Sequence, residues 1–486
     1  PFATYLATVA ALLAAARLMA GVSGIVAFAL VAHASGLAHQ FAAGRIDHHG
    51  AQILLLSAMT LAILRSLAPR EAGWGALAGL AAALSFAISV ENLPFIAVAG
   101  AIYAVLAAAA PERARAAGWF GAALALGTAL GWAIFADREV GPVCDAISTF
   151  HVALAALGGG GLAALAALAP RLSAGLRWAG LAALALAALA LARLAFPACL
   201  GDPLAQVPPL MRQFWLSEVG EARPLTTLFA KSPLLALSAA FAILVGLAAA
   251  LVGAVSDRLD PPGVDAPTQR LRWGALAALI AVGFAATLWQ VRAGTSATPL
   301  ALIGVAALIA AAARAGRRRG GRGAGAPPLA AGALLAHVGG VGTPVGLLAR
   351  PPAPPKEICQ LPAALEPLDR LPPSLILTSL DPGSFILAHT HHRAMGGAYH
   401  RNVRGNMNAL EALLAPPDEA RRLARAAGVD LVAACDGLID LESYATERPG
   451  SLAALLVAHD PPAWLERVPT QGPWRVYRLI DPPARP

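Results

Sequence analysis

Apolar runs of roughly 17 to 23 residues follow one another as far as about residue 348, each long enough to cross a bilayer as a helix. They predict twelve spans, over 2–19, 24–41, 51–67, 72–90, 94–110, 117–136, 148–168, 178–195, 232–254, 273–289, 298–314 and 328–348. Apolar and polar residues do not alternate with the period of two that a membrane β-barrel needs, so that class is excluded. Beyond residue 350 the pattern changes. Pro351-Pro352-Ala353-Pro354-Pro355 predicts an extended, stiff linker. After it, Leu375-Ile376-Leu377-Thr378 and Val429-Asp430-Leu431-Val432-Ala433-Ala434 predict short buried strands, and 406–414, 417–427 and 451–457 predict helices. The expected organisation is a transmembrane domain over 1–348 and a small α/β domain over 349–486, long enough for a core of its own.

Composition agrees with a polytopic helical membrane protein: 58% of residues are hydrophobic and 13% charged. The net charge of +8 does not point to nucleic acid, because the arginines fall mainly in short loops between spans. One set of alternate loops holds Arg65, Arg70, Arg113, Arg115, Arg171, Arg177, Arg258, Arg270, Arg272 and the Arg314–Arg322 cluster, and the other set is poorer. The richer set should face the cytoplasm. That orientation puts Arg45–His49, the long loop 196–231 and everything after residue 349 on the outer face. The chain opens on Pro1 inside a span, without an initiator Met, so the natural chain is expected to start upstream. The four cysteines lack zinc-finger spacing; Cys144, Cys199, Cys359 and Cys435 all fall on the outer side, where two disulfides can form in a pairing the sequence leaves open.

Candidate chemistry starts at Arg45-Ile46-Asp47-His48-His49, a charged island at a membrane border, where ionisable groups are costly unless they bind something. Asp47 and His49 stand two residues apart at a loop-to-helix junction, so their side chains can converge on one ion. Carboxylate plus imidazole suits Mn2+, and Mg2+ less well. The plainer alternative is that Asp47 caps the following helix, and the two roles can coexist. Glu221, in the long outer loop, can ligate a metal or hold an acceptor group, or simply pair with Arg223 in solvent. Arg292, in a short outer turn, either snorkels or meets a phosphate at headgroup level. Glu91-Asn92, between two spans, is read as structural. In the tail, Asp381-Pro382-Gly383 predicts a polar turn, followed by Tyr399 and His400. His391 and His392 are adjacent and have no acidic residue at helical ligand spacing, which argues against zinc there.

Taken together, the island, the long outer loop and the tail resemble the catalytic subunit of oligosaccharyltransferases, of the GT-C class of membrane glycosyltransferases. The resemblance implies thirteen spans, an external C-terminal domain, a DxD-like metal motif in the second outer loop and a functional Glu in a later long loop. One span upstream of Pro1 brings this chain into that register. Asp47 and His49 then match the two ligand positions of the motif, and Glu221 matches the Glu of the long loop. Arg292 matches the arginine that meets the lipid-linked phosphate, and Asp381 stands in place of the family's Trp-Trp-Asp-Tyr-Gly. The family's principal catalytic Asp would precede Pro1. Its Trp pair is replaced by Ser379-Leu380, which points away from an Asn-x-Ser/Thr sequon and towards another acceptor.

The resemblance implies external-face transfer from a polyprenyl-phosphate or polyprenyl-pyrophosphate donor to an acceptor protein, glycan or lipid, in a bacterial inner membrane with a periplasmic C-terminal domain. Such a reaction develops negative charge on the departing phosphate. Mn2+ or Mg2+ held by Asp47, His49 and Glu221, with Arg292 nearby, would stabilise it. Asp47 and Glu221 are the catalytic candidates, and Arg292, Asp381, Tyr399 and His400 the substrate-binding ones. The competing expectation is a transporter or flippase, for which the chain shows no internal repeat and no midplane charges.

Overall fold

The computed structural model describes residues 1–32, 37–42, 48–136, 143–202, 204, 207–320 and 355–480. These form two compact units, one from Pro1–Leu204 with Arg223–Leu347, the other from Ala205–Ala222 with Leu348–Pro486.

The first unit is a bundle of α1 (Phe2–Ala20), α2 (Val22–Ala32), α3 (His49–Ser66), α4 (Trp74–Ile88), α5 (Leu93–Ala109), α6 (Ala114–Phe135), α7 (Thr149–Leu168) and α8 (Ala174–Ala195), continued after the long loop. The short α9 (Pro209–Phe214) lies in that loop. Then come α10 (Leu225–Lys231), α11 (Pro233–Val255), α12 (Ala266–Trp289) and α13 (Gly294–Gly320). Among the described residues, seven helices are long and apolar enough to cross a membrane, and α2, α4 and α5 are shorter apolar helices. Leucines stay exposed on these helices, Leu194 at 83% and Leu126 at 74%, as expected of surfaces that meet lipid rather than water.

Ten of the twelve expected spans coincide with helices, and 328–348 lies outside the described residues, as does 351–354 of the linker. The second span is the correction. Within the expected 24–41, α2 is described as far as Ala32 and Leu37–Phe41 forms a 3-10 turn, with 33–36 outside the described residues. The 24–41 stretch was read by hydropathy alone, which does not separate an α-helix from a 3-10 turn. Helices approach closely through small residues. A Cβ on Gly121 of α6 would stand 2.3 Å from the Gly159 carbonyl of α7, so both positions need hydrogen for a side chain.

Arginines of the richer loop set close helix ends. Arg272 Nε donates to Leu64 O (2.9 Å), Arg113 to Leu67 O, Arg177 Nε to Ala108 O (2.8 Å) and Arg314 Nη1 to Ala20 O (3.1 Å). These cations therefore satisfy the last carbonyls of α1, α3 and α5, where the helix dipole also favours them. In the same unit, Cys144 and Cys199 form a disulfide.

The second unit is a five-stranded sheet in the order β2-β1-β3-β5-β4, with β1 (Leu375–Leu377), β2 (Arg393–Ala394), β3 (Leu431–Cys435), β4 (Leu465–Val468) and β5 (Trp474–Leu479). β1 pairs in parallel with both β2 and β3, while β3–β5 and β5–β4 are antiparallel. Around it lie α14 (Pro362–Asp369), α15 (Gly383–His389), α16 (Val403–Leu414), α17 (Pro417–Ala426), α18 (Ile439–Glu447) and α19 (Leu452–Val457). Both expected strands and all three expected helices are present, with α16 starting three residues earlier at Val403. Cys359 and Cys435 form the second disulfide. The long loop contributes here too: Phe214 at the end of α9 packs edge-on against Tyr444 of α18, ring centroids 5.8 Å apart.

Candidate metal and anion centre

The described part of the charged island sits at the start of α3. His48 is its N-cap and His49 its first residue, and neither caps the helix through a side chain. Arg45, Ile46 and Asp47 lie outside the described residues, so the expected roles of Asp47 as ligand or helix cap have no geometry. A second element reaches the same place. α4 ends at Ile88, and the turn Ser89–Asn92 leads into α5, whose Pro94 stands in the first turn, where a missing N–H costs nothing. Glu91 sits at the tip of that turn. The third element is the 3-10 turn Val291–Ala293 between α12 and α13, which carries Arg292.

One carboxylate oxygen gathers all three. His48 Nε2 lies 3.1 Å from Glu91 Oε1, His49 Nε2 3.8 Å from it and Arg292 Nη1 3.6 Å from it. The two imidazoles stack, centroids 4.6 Å apart and planes 21° off parallel. Arg292 Nε also donates to Gln290 Oε1 at 2.9 Å, which fixes the guanidinium plane. Burial pushes the Glu91 carboxyl up, but the hydrogen bond from His48 and the charges of His48, His49 and Arg292 outweigh it. The net effect holds the carboxyl below its usual range, so Glu91 is an anion at neutral pH.

His48, His49 and Glu91 each offer a ligand atom within 4.8 Å of the others. Two imidazoles and one carboxylate make a donor set known for divalent transition metals and zinc, and one poorly matched to Mg2+, which prefers oxygen. Arg292 adds a cation at the rim, suited to an anionic group. The residues present therefore fit a divalent ion beside a phosphate.

Of the expected residues, His49 and Arg292 are brought together here, with Glu91 between them. Glu91, read from sequence as structural, is the residue that joins them, and His48 accompanies His49. The signal that could have found Glu91 was available: an ionisable residue at the edge of a membrane span.

Glu221 lies in the 3-10 turn Gly220–Ala222 of the second unit, exposed. Asp381 follows β1 in that unit, and its peptide N–H donates to Asp440 Oδ2 at 3.0 Å. Asp440 is 7% exposed; burial first, and then the nearby Asp381 charge, push its carboxyl up to about 6. The expected turn is present, closed by Gly383 N–H to Leu380 O at 3.2 Å. Gly383 packs so tightly on the Gly396 backbone that a Cβ would come 1.9 Å from its oxygen, which brings the Asp381 turn beside the segment leading to Tyr399 and His400. Tyr399 is 54% exposed, its ring 5.3 Å from that of His400. His391 bonds Asp369 (2.7 Å) and Leu371 O (2.9 Å), and His392 bonds Ser374 N–H (3.2 Å) and Leu368 O (2.7 Å), so both tie α14 to the sheet.

No protein-family model matches the sequence, and no curated protein registers as similar. Solved structures do. The archaeal oligosaccharyltransferase AglB from Archaeoglobus fulgidus, in complex with an inhibitory peptide and a dolichol-phosphate, superposes with a TM-score of 0.63 at 15% identity. That match covers 96% of this chain and 60% of the archaeal one. The apo form of the A. fulgidus enzyme gives a TM-score of 0.65 at 14% identity, covering 96% and 61%. Its complex with Zn and sulfate gives 0.57 at 13%, covering 95% and 58%. The chain thus spans about three fifths of the length of these structures. It is a multi-pass membrane protein with an oligosaccharyltransferase-like GT-C fold.

Proposed function

We propose that this chain is a metal-dependent membrane glycosyltransferase, moving a sugar or oligosaccharide from a polyprenyl-(pyro)phosphate donor to an acceptor on the external face. The observation that carries the reading is the convergence of His48, His49 and Arg292 on one oxygen of Glu91, at span ends of an oligosaccharyltransferase-like fold. A similar fold binds a dolichol-phosphate and a peptide in the archaeal relative, and another form of that enzyme carries Zn and sulfate.

Glycosyl transfer leaves the sugar's former phosphate with growing negative charge, so groups that meet this charge lower the barrier. Arg292 is placed to hold phosphate oxygens through its guanidinium fork. His48, His49 and Glu91, with Asp47 as a further donor, would hold the divalent ion. When bound, that ion supplies Lewis-acid stabilisation of the phosphate oxygens. Its imidazole donors favour Mn2+ or Zn2+ over Mg2+. Glu91 also keeps Arg292 from turning away into solvent. Glu221 is assigned to the metal or the acceptor, and Asp381, Tyr399 and His400 to substrate binding; the loss of the Trp pair at Ser379-Leu380 argues for an acceptor other than a sequon.

The external orientation is supported by the Cys144–Cys199 and Cys359–Cys435 bonds, since disulfides persist in oxidising compartments. A bacterial inner membrane with the C-terminal domain in the periplasm fits that requirement. The direct test is transfer from a polyprenyl-linked sugar by membranes carrying the full-length protein. Asp47→Ala and His49→Ala are expected to lower it at least 100-fold with the protein still folded, and parent-level transfer by both would overturn the proposed roles.

A further inference from the structure

Beneath the histidines and Glu91 lies a polar network that the reaction does not require to touch substrate. Gln52, Ser85 and Asn92 are 1%, 2% and 1% exposed. Gln52 stands one helical turn after the histidines, its N–H bonded to His48 O at 3.0 Å. Its side-chain amide donates to two carbonyls at the end of α4, Ser85 O (3.0 Å) and Ser89 O (3.1 Å). Its Oε1 accepts from the Ser85 hydroxyl and from Asn92 Nδ2, the latter at 2.6 Å. Asn92 Nδ2 also reaches the Gln52 backbone carbonyl at 3.0 Å and the Ser85 hydroxyl at 3.1 Å. Finally, the Glu91 N–H points at Ser89 Oγ, 3.3 Å away.

Desolvating three polar side chains is costly unless their partners are supplied, and an apolar core would be the cheaper way merely to join helices. The bonds of this network lie at the end of the bundle that carries the histidines. They fasten both residues flanking the Glu91 tip, Ser89 and Asn92, to one residue of α3, the helix that begins with His48 and His49. The start of α3 and the Glu91 turn are thus joined by side-chain bonds.

We propose that Gln52, Ser85 and Asn92 are positioning residues that hold the Glu91 carboxylate in register with the two imidazoles, and so set the affinity of the site for its divalent ion. The inference rests on the ion-binding reading above. Groups that orient metal ligands are typically worth about 10- to 100-fold in metal affinity. A shift of about 1 Å in a carboxylate is enough to spoil such a site.

The test is Mn2+ binding to the purified full chain in detergent, followed by electron paramagnetic resonance, with no donor or acceptor present. Gln52→Glu and Asn92→Asp keep side-chain shape but remove the donated bonds, and each should weaken Mn2+ binding at least 10-fold. In a Glu91→Gln background, Gln52→Glu should cost less than twofold more, because the residue acts through Glu91. Ser57→Ala, on the same helix, removes only a bond from Ser57 Oγ to Ile53 O and should leave affinity at the parent level. Should Gln52→Glu fail to fold, Ser89→Ala removes one acceptor for the Glu91 N–H and carries the same expectation. Folded variants that bind Mn2+ within twofold of the parent overturn the proposal, as does an equal loss in Ser57→Ala. A parent that binds no Mn2+ overturns the ion reading itself, a result distinct from parent-like variants.

Discussion

Arg292 Nη1 and Glu91 Oε1 stand 3.6 Å apart, although they come from turns separated by most of the membrane bundle in sequence. The pair joins a residue legible as a phosphate ligand to one that was not legible as functional. It also means that the guanidinium is already partly neutralised before any phosphate arrives. A phosphate bound by Arg292, as proposed, would compete with or share this partner.

Removing that partner should show in binding. Glu91→Gln is expected to lower transfer from a polyprenyl-linked donor about 100-fold or more. Arg292→Gln should raise the KM for donor about 10- to 100-fold, because a charge-assisted phosphate contact is lost. Steady-state kinetics in proteoliposomes separates the two, and unchanged donor KM in Arg292→Gln would remove the phosphate from this arginine.

The donor set makes a prediction about metals. Chelation of membranes with EDTA should abolish transfer, and Mn2+ or Zn2+ should restore it at lower concentration than Mg2+, because two of the three donors are imidazoles. Restoration curves for the three ions measure the order. Equal potency of Mg2+ would argue for a site dominated by oxygen ligands.

In the second unit, Asp440 titrates against folding. Its folded carboxyl is pushed up to about 6, above the unfolded value near 3.8, so the neutral form is favoured on folding. Its contribution is thus fully present below the unfolded value and is lost as pH rises through about 6. Between pH 5 and 7.5 the unit should lose about 1–2 kcal/mol from this group. Hydrogen exchange of β1 and β3 amides in the full chain, as a function of pH, reads the loss. Asp440→Asn should flatten the profile.

Topology can be read from the cysteines. In intact cells, or in spheroplasts if an outer membrane bars the reagents, a membrane-impermeant maleimide should label none of the four until a membrane-impermeant reductant opens the Cys144–Cys199 and Cys359–Cys435 bonds. Labelling that needs a permeant reductant would place these segments on the inner side.

Gly383→Ala should damage the second unit selectively. The added carbon would meet the Gly396 oxygen at 1.9 Å, an overlap with backbone that no rotamer relieves. A loss of about 2–3 kcal/mol is expected, with a lower Tm for that unit and reduced order at Tyr399 and His400. Ala at Gly428, where no atom stands within 4 Å, separates crowding from backbone strain, since that glycine has φ +73°.

The bundle was readable because membrane spans announce themselves by length and apolarity, which need no partner to be recognised. The second span escaped that logic in part: Leu37–Phe41, within the apolar stretch 24–41, is a 3-10 turn and not α-helix. In the second unit, Leu375–Leu377 and Leu431–Cys435 were legible as strands because they are almost continuously buried. β4 was not, since Leu465-Glu466-Arg467-Val468 at a sheet edge exposes Glu466 and Arg467 and lacks an apolar signature.

The chemistry divides along the same line. The amino-acid sequence alone determined a multi-pass helical protein, a charged island beside a span and an arginine in a short turn between spans, because each is a local property of residues beside an apolar run. Only the tertiary structure decided that Glu91 faces His48, His49 and Arg292, that Gln52 bonds Asn92 beneath them, and which cysteines pair. Those relations depend on helix packing that brings distant turns within a few ångströms. No spacing along the chain encodes that distance, since it is set by the close approach of whole helices.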